Sequence, residues 1–435
     1  MSGKSSRRKF ISAAVGAAVV AAAGYGFYGY SRKQPVETQT PILTQSPTPT
    51  LSPTPTEPSP THSTPTQPPT TPIAPTAIRG IIILVEFPDL QHDIRRSNIQ
   101  DRFFNQLNDY VREMSYNKVS ISGDVTEKWY KMPNPVSYYK ISPRNLEVEN
   151  TRLNSLINDV FEVVDKDIDF SKYSFAVLFL QAQQPEYGMI GLCAYPGMLG
   201  WRTTDILKTK SGQVVNGGVA IFCYQAHLGT LFHDIAHIVG GVRQGKRMVP
   251  CLYDHDLQAK PGPLDKIWVE AQINMGFWDP MSCHFYKREL DPMGISSWTR
   301  LRLNWIDQTK VKTATLGKTT EYILGPLVDE RSEVLTIKIP LTATTYYLIE
   351  NRQLIGSDRY LPGSGILIMY ADDSIAECRH GESPVKLINA DPGTPHLEGA
   401  AFDIGKKDSY IDERNRLKIQ LLEKTGNSYK IRIST

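Results

Sequence analysis

Residues 226–240 read AHLGTLFHDIAHIVG. Leu228, Leu231, Phe232, Ile235, Ile238 and Val239 recur near the 3.6-residue period, so the stretch is expected to form a largely buried α-helix. His233 and His237 stand four residues apart, which places both imidazoles on one face about 6 Å from each other. Two rings so placed reach one zinc ion at about 2.0–2.1 Å each. The chain has nine His, and a His on an apolar helix is often a satisfied core residue. The pair therefore gains meaning only from its surroundings.

Those surroundings resemble a zinc peptidase. Asp234 follows the first His, where such enzymes place a Glu that serves as general base. Gly240 stands three residues after His237, as in the metzincin pattern H-E-x-x-H-x-x-G, whose Gly turns the chain toward a third ligand. Downstream lie 249–254, VPCLYD, and 276–282, GFWDPMS; the latter resembles the Trp-Asp-x-Met-Ser segment carrying a Met-turn, with Met281 as its methionine. Residues 81–89 (IIILVEFPD), 115–118 (SYNK), 293–306 (MGISSWTRLRLNWI), 346–352 (YYLIENR) and 361–368 (LPGSGILI) extend the likeness in order. Together they resemble the immune inhibitor A metallopeptidases from Ile78 to about Asp373. The resemblance implies a metzincin-like domain binding zinc through His233, His237 and a third residue. That third residue aligns with Cys251, with Asp254, His255 and Asp256 as alternatives. Asp234 would handle protons, and Met281 would form the floor.

Three departures bear on activity. Asp234 is one methylene shorter than Glu, and catalytic groups tolerate only about 0.5 Å of misplacement. Cys251 replaces the family's Asp, and a thiolate leaves zinc less Lewis-acidic than a carboxylate does. The inserted stretch 241–248 carries Arg243, Lys246 and Arg247, which are expected to face solvent.

Outward from this helix, the β-branched run 81–87 predicts a buried strand. Ser97 is expected to cap a helix through Phe103, Phe104, Leu107 and Val111. Residues 146–164 have helical periodicity, and 119–121, 175–180 and 219–223 read as strands. The fold class is therefore α+β, a mixed sheet with a site-bearing helix over 78–307. Short strands at 320–324, 334–339, 345–350, 366–370, 418–422 and 429–433 predict a smaller β-rich domain over 308–435, a sandwich or barrel. Asp372, Asp373, Asp391, Asp403 and Asp408 are candidates for calcium, against the reading of solvated loop residues; no loop has EF-hand spacing.

The N-terminus is of another kind. Arg7-Arg8-Lys9-Phe10-Ile11 before an uncharged apolar run to Tyr30 looks like a twin-arginine export signal within 1–34. Twenty residues at about 1.5 Å each match a bilayer core, so retention as a membrane anchor and cleavage near Ala21-Ala22-Ala23 are both open. Residues 35–77 are Pro, Thr and Ser with little else, a disordered stalk stiffened by polyproline II. A net charge of +3, with no basic run, excludes a nucleic-acid surface. Five Cys without a C-x-x-C pair exclude a zinc ribbon; if Cys251 binds metal, four remain for two disulfides. The resulting expectation is an exported, cell-surface or extracellular zinc endopeptidase that cleaves protein or peptide substrates through a metal-activated water. The alternative is an inactive homologue kept as a surface binding module. Oligomeric state is left open.

Overall fold

A computed structural model describes residues 76–200, 207–260 and 274–435. The export segment and nearly all of the stalk lie outside these residues. The run 81–87 forms the centre of β1 (Thr76–Glu86), which begins two residues before the expected boundary. With β2 (Val119–Val125), β3 (Phe175–Leu180), β4 (Gly191–Tyr195) and β5 (Val219–Cys223) it makes a mixed sheet in the order β2-β1-β3-β5-β4. The pairs β1–β2, β1–β3 and β3–β5 are parallel, and β4 runs antiparallel to β5 at the edge.

Alternation along β1 explains its unbroken apolar run. Ile82 and Leu84 enter one core with Phe103, Val111 and Ile235. Ile81, Ile83 and Val85 enter a second core, on the other face, with Leu153, Ile157 and Phe161. The covering helices are α1 (Leu107–Met114), α2 (Asn150–Val164), α3 (Leu228–Gly240) and, beyond the sheet, α4 (Ser297–Arg302). A π-helical segment, Arg102–Gln106, leads into α1 from Arg96–Asp101.

Two helix starts differ from expectation. Ser97 is not a cap: Arg95 holds the N-cap position without a side-chain bond. The guanidinium of Arg96 donates to the Val125 and Thr126 carbonyls at 2.7 and 3.0 Å, so tertiary bonding sets where this helix begins. α2 starts at Asn150 because the Glu149 carboxylate accepts from Thr151 N at 3.1 Å.

Beyond residue 307 two more sheets form. One contains β6 (Val311–Thr313), β8 (Thr336–Pro340), β9 (Thr345–Arg352), β10 (Gly365–Asp372) and β11 (Val385–Leu387); the other contains β7 (Thr320–Leu324), β12 (Ser409–Asp412), β13 (Leu417–Thr425) and β14 (Ser428–Ser434). Ile337, Tyr347, Ile349 and Ile368 face Ile419, Leu421, Tyr429 and Ile431 across this sandwich. The alternate residues Tyr346, Leu348, Leu367 and Met369 turn the other way and join the core that contains Phe232 and Trp278. Residues on both sides of 307 thus share one core.

A buried ion network lies at that junction. Arg352 is fully buried, and all five of its N–H groups are used. Nε and Nη2 donate to Asp358 at 2.8 and 2.7 Å, and Nη1 to Glu350 at 2.9 Å. Nη1 also reaches the Trp278 carbonyl at 3.1 Å, and Nη2 the Gly294 carbonyl at 2.7 Å. A Cβ on Gly294 would lie 2.1 Å from Asp358 Oδ1, so the network needs glycine there. Removing one member of such a cluster strands buried charge. We predict that Arg352→Ala lowers unfolding free energy by about 3–5 kcal/mol, read as a shift of the urea midpoint.

Candidate metal centre

α3 starts at His227, whose Nδ1 accepts from Gly229 N at 3.0 Å while Nε2 donates to the Leu290 carbonyl at 2.8 Å. The helix runs through Gly240. The left-handed residue is Gly241, with φ +65°, not Gly240. Gly240 serves a different need: a Cβ there would meet Val249 Cγ2 at 2.8 Å. The inserted stretch is a hairpin, Val242–Arg243 against Lys246–Arg247, turning on the positive-φ pair Gln244 and Gly245. It brings the chain straight back to Val249.

That return fixes His237, whose Nδ1 lies 2.6 Å from the Val249 carbonyl. His233 Nδ1 lies 3.0 Å from the Pro280 carbonyl. A carbonyl only accepts, so each Nδ1 carries a proton and each ring turns Nε2 toward the sulfur. Both Nε2 atoms lie 3.5 Å from Cys251 Sγ. His233, His237 and Cys251 are each about 98% buried or more, and their donor atoms all lie within 4.8 Å of one another.

Three lone-pair donors thus converge on one point. One proton between the sulfur and one imidazole satisfies only that pair, which leaves the second Nε2 lone pair facing the sulfur. Tetrahedral zinc, with bonds of about 2.0–2.1 Å to nitrogen and about 2.3 Å to sulfur, requires N···S separations of about 3.5 Å. The donor set fits a metal ion. Burial, helped by the Arg247 charge, holds His237 down to about 4. Burial opposes ionisation of Cys251, but His237, Arg247 and His233 outweigh it and hold the thiol well below its ordinary range.

The other candidate third ligands are engaged elsewhere. Asp254 accepts from Asp256 N and Leu257 N, both at 2.9 Å, capping a short helix. His255 sits between Glu377, 3.7 Å away, and the Cys251 sulfur, to which it hydrogen-bonds, and Asp256 pairs with His380 at 2.8 Å. Asp234 is buried beside β4: a Cβ on Gly191 would lie 3.0 Å from its Oδ2. Burial pushes its carboxyl up to about 7, against the pull of His233 and of the Cys193 backbone N–H.

Met281 is fully buried in the turn beneath His233. Its N–H donates to Asp279 Oδ1 at 2.8 Å, and its carbonyl accepts from Leu252 N at 2.8 Å. Asp279 Oδ2 also takes Ser296 N, Ser296 Oγ and Thr299 Oγ1 at 2.9, 2.6 and 2.7 Å, which binds this turn to the start of α4.

The site opens on a cavity of about 450 Å³ lined by Met189, Leu192, Met198, Asp234, His284 and Phe285, among others. Sequence reading passed over β4 and His284; the His284 ring lies 4.6 Å from that of His233, with Nδ1 2.9 Å from Thr230 Oγ1.

Two further expectations change. Arg247 does not face solvent; it is 4% exposed and directed inward, because Glu377 supplies a buried counter-charge. All five Cys are free and buried, so the four outside the candidate site make no disulfide. The C-terminal acids spend their oxygens locally: Asp372 on Ser374, Asp373 on Tyr346 and Arg302, Asp391 on Gly393 and Thr394, Asp403 on Tyr429. Among the described residues no acidic group gathers as a calcium cage; the one such metal-sized cluster is His233, His237 and Cys251. No helix among the described residues is long and apolar enough to cross a membrane, and the run 11–30 lies outside them.

No protein-family model and no curated protein matches this chain. The assignment of chemistry therefore rests on the site itself. We predict that the full chain retains one zinc per molecule after dialysis. His237→Ala or Cys251→Ala should weaken retention, read by chelator competition, by more than the roughly 10- to 100-fold that outer partners are worth.

Proposed function

We propose that this chain is an exported zinc endopeptidase of the immune inhibitor A type, with a metzincin-like fold, tethered to the membrane when its N-terminal apolar run is retained. The observation that carries this reading is the convergence of two imidazole Nε2 atoms and one cysteine sulfur in the wall of a cavity, with a buried carboxyl group on the same helix. Two His and one Cys leave a fourth tetrahedral position open, the hallmark of catalytic rather than structural zinc. Bound zinc supplies Lewis acidity at the scissile carbonyl and acidifies water.

The protein's own groups divide the remaining work. Asp234, with its carboxyl near 7, holds or releases a proton at neutral pH, the range a general base needs. β4 is an edge strand that lines the cavity with Gly191, Leu192 and Cys193, so an extended peptide can lie along it as an added strand. The apolar walls at Met189, Leu192 and Phe285 accept a substrate side chain and exclude water.

A second reading, an inactive homologue that binds without cleaving, is favoured by one feature. The Asp234 carboxylate reaches toward Gly191 and Cys193 of β4 on a side chain one methylene shorter than Glu. Cleavage of denatured casein by the full chain separates the two. The endopeptidase reading expects activity that His233→Ala abolishes and that Asp234→Glu raises by about 10- to 100-fold. A wild type that holds zinc, stays silent on casein and is not revived by Asp234→Glu belongs to the second reading.

A further inference from the structure

Arg247 and Glu377 have no part in the proposed chemistry, yet they form a built arrangement against the site. The guanidinium is held in a fork: Nε to Glu377 Oε1 at 3.2 Å and Nη2 to Glu377 Oε2 at 3.0 Å. The same Nη2 lies 3.8 Å from Cys251 Sγ. Both side chains of the pair are shielded, at 4% and 17% exposure, so the charge of Arg247 acts on the sulfur through little solvent. Glu377 also lies 3.7 Å from His255, a second cation-forming neighbour packed behind Cys251.

The carboxylate comes from the loop between β10 and β11, and that loop is fastened at several points to the segment bearing Cys251. Lys246 Nζ donates to the Ser374 carbonyl at 3.0 Å, His255 N to the Cys378 carbonyl at 3.1 Å, and His380 N to Asp256 Oδ2 at 2.6 Å. Position and charge are thus both fixed from the C-terminal side.

Thiolate is a stronger electron donor than carboxylate, so a centre of two His and one Cys is a poorer electrophile than one with two His and an acid. A cation held at the sulfur withdraws part of that donated charge, the way hydrogen bonds to sulfur tune other metal–thiolate centres. We propose that Arg247, aligned by Glu377, is a positioning residue that draws charge from the Cys251 thiolate and so restores electrophilicity to a thiolate-ligated metal. This rests on the zinc reading of the site.

The test uses the full chain loaded with cobalt(II), whose sulfur-to-metal charge-transfer band reports how strongly the thiolate donates. The expected result is a band that moves to longer wavelength in Arg247→Gln, with casein cleavage down about 10- to 100-fold. Glu377→Gln, nearly isosteric and less disturbing to the fold, removes the counter-charge while the cation stays, and should move the band the opposite way by a smaller step. Arg247→Lys, which keeps the charge without the fork, should recover part of the wild-type position. A band that stays in place in Arg247→Gln and Glu377→Gln, in proteins that still bind cobalt, overturns the proposal while leaving the metal centre standing. A wild type without any such band overturns both.

Discussion

Five hydrogen bonds from one buried guanidinium hold this molecule in register. Arg352 joins the Trp278 and Gly294 carbonyls, which flank the turn under the histidines, to Glu350 and Asp358 in the C-terminal part. Glu350 in turn accepts from Ser297 N at 2.5 Å, at the start of α4. A charge this deep is stable only when every donor is satisfied, so the positions of all these segments are fixed together. Asp279, one residue past Trp278, extends the same constraint to Met281 and to the carbonyl that orients His233.

The site is therefore assembled from backbone as much as from side chains. Each imidazole is held by a carbonyl delivered by a different loop: Val249 by the hairpin after α3, Pro280 by the turn anchored on Asp279. The helix alone puts two rings one turn apart; the loops choose which nitrogen faces the sulfur. A displacement of either loop would rotate a ring without moving α3 at all.

Much of this was legible in the sequence, for local reasons. The paired His on α3, the buried strand at 81–87 and the short strand at 345–350 are local signals that tertiary structure had no cause to override. Cys251 was legible as a candidate beside Asp254, His255 and Asp256, but geometry was needed to bring it alone to the imidazoles. β4 was missed because its five residues, with Gly, Cys and Ala among them, carry weak β propensity, and its pairing with β5 is what makes it a strand. The inward turn of Arg247 was invisible because its counter-charge, Glu377, lies 130 residues away. Ser97 failed as a cap for the same reason, since bonds from Arg96 to distant carbonyls set the helix start.

The two-faced sheet of β8, β9 and β10 has a temporal consequence. Its inner face completes the core around α3, and its outer face is covered by a sheet in which the last strand, β14, lies between β7 and β13. The core behind α3 is therefore completed by strands that follow it in the chain, so the helix bearing His233 and His237 is synthesised before the sheet that packs behind it.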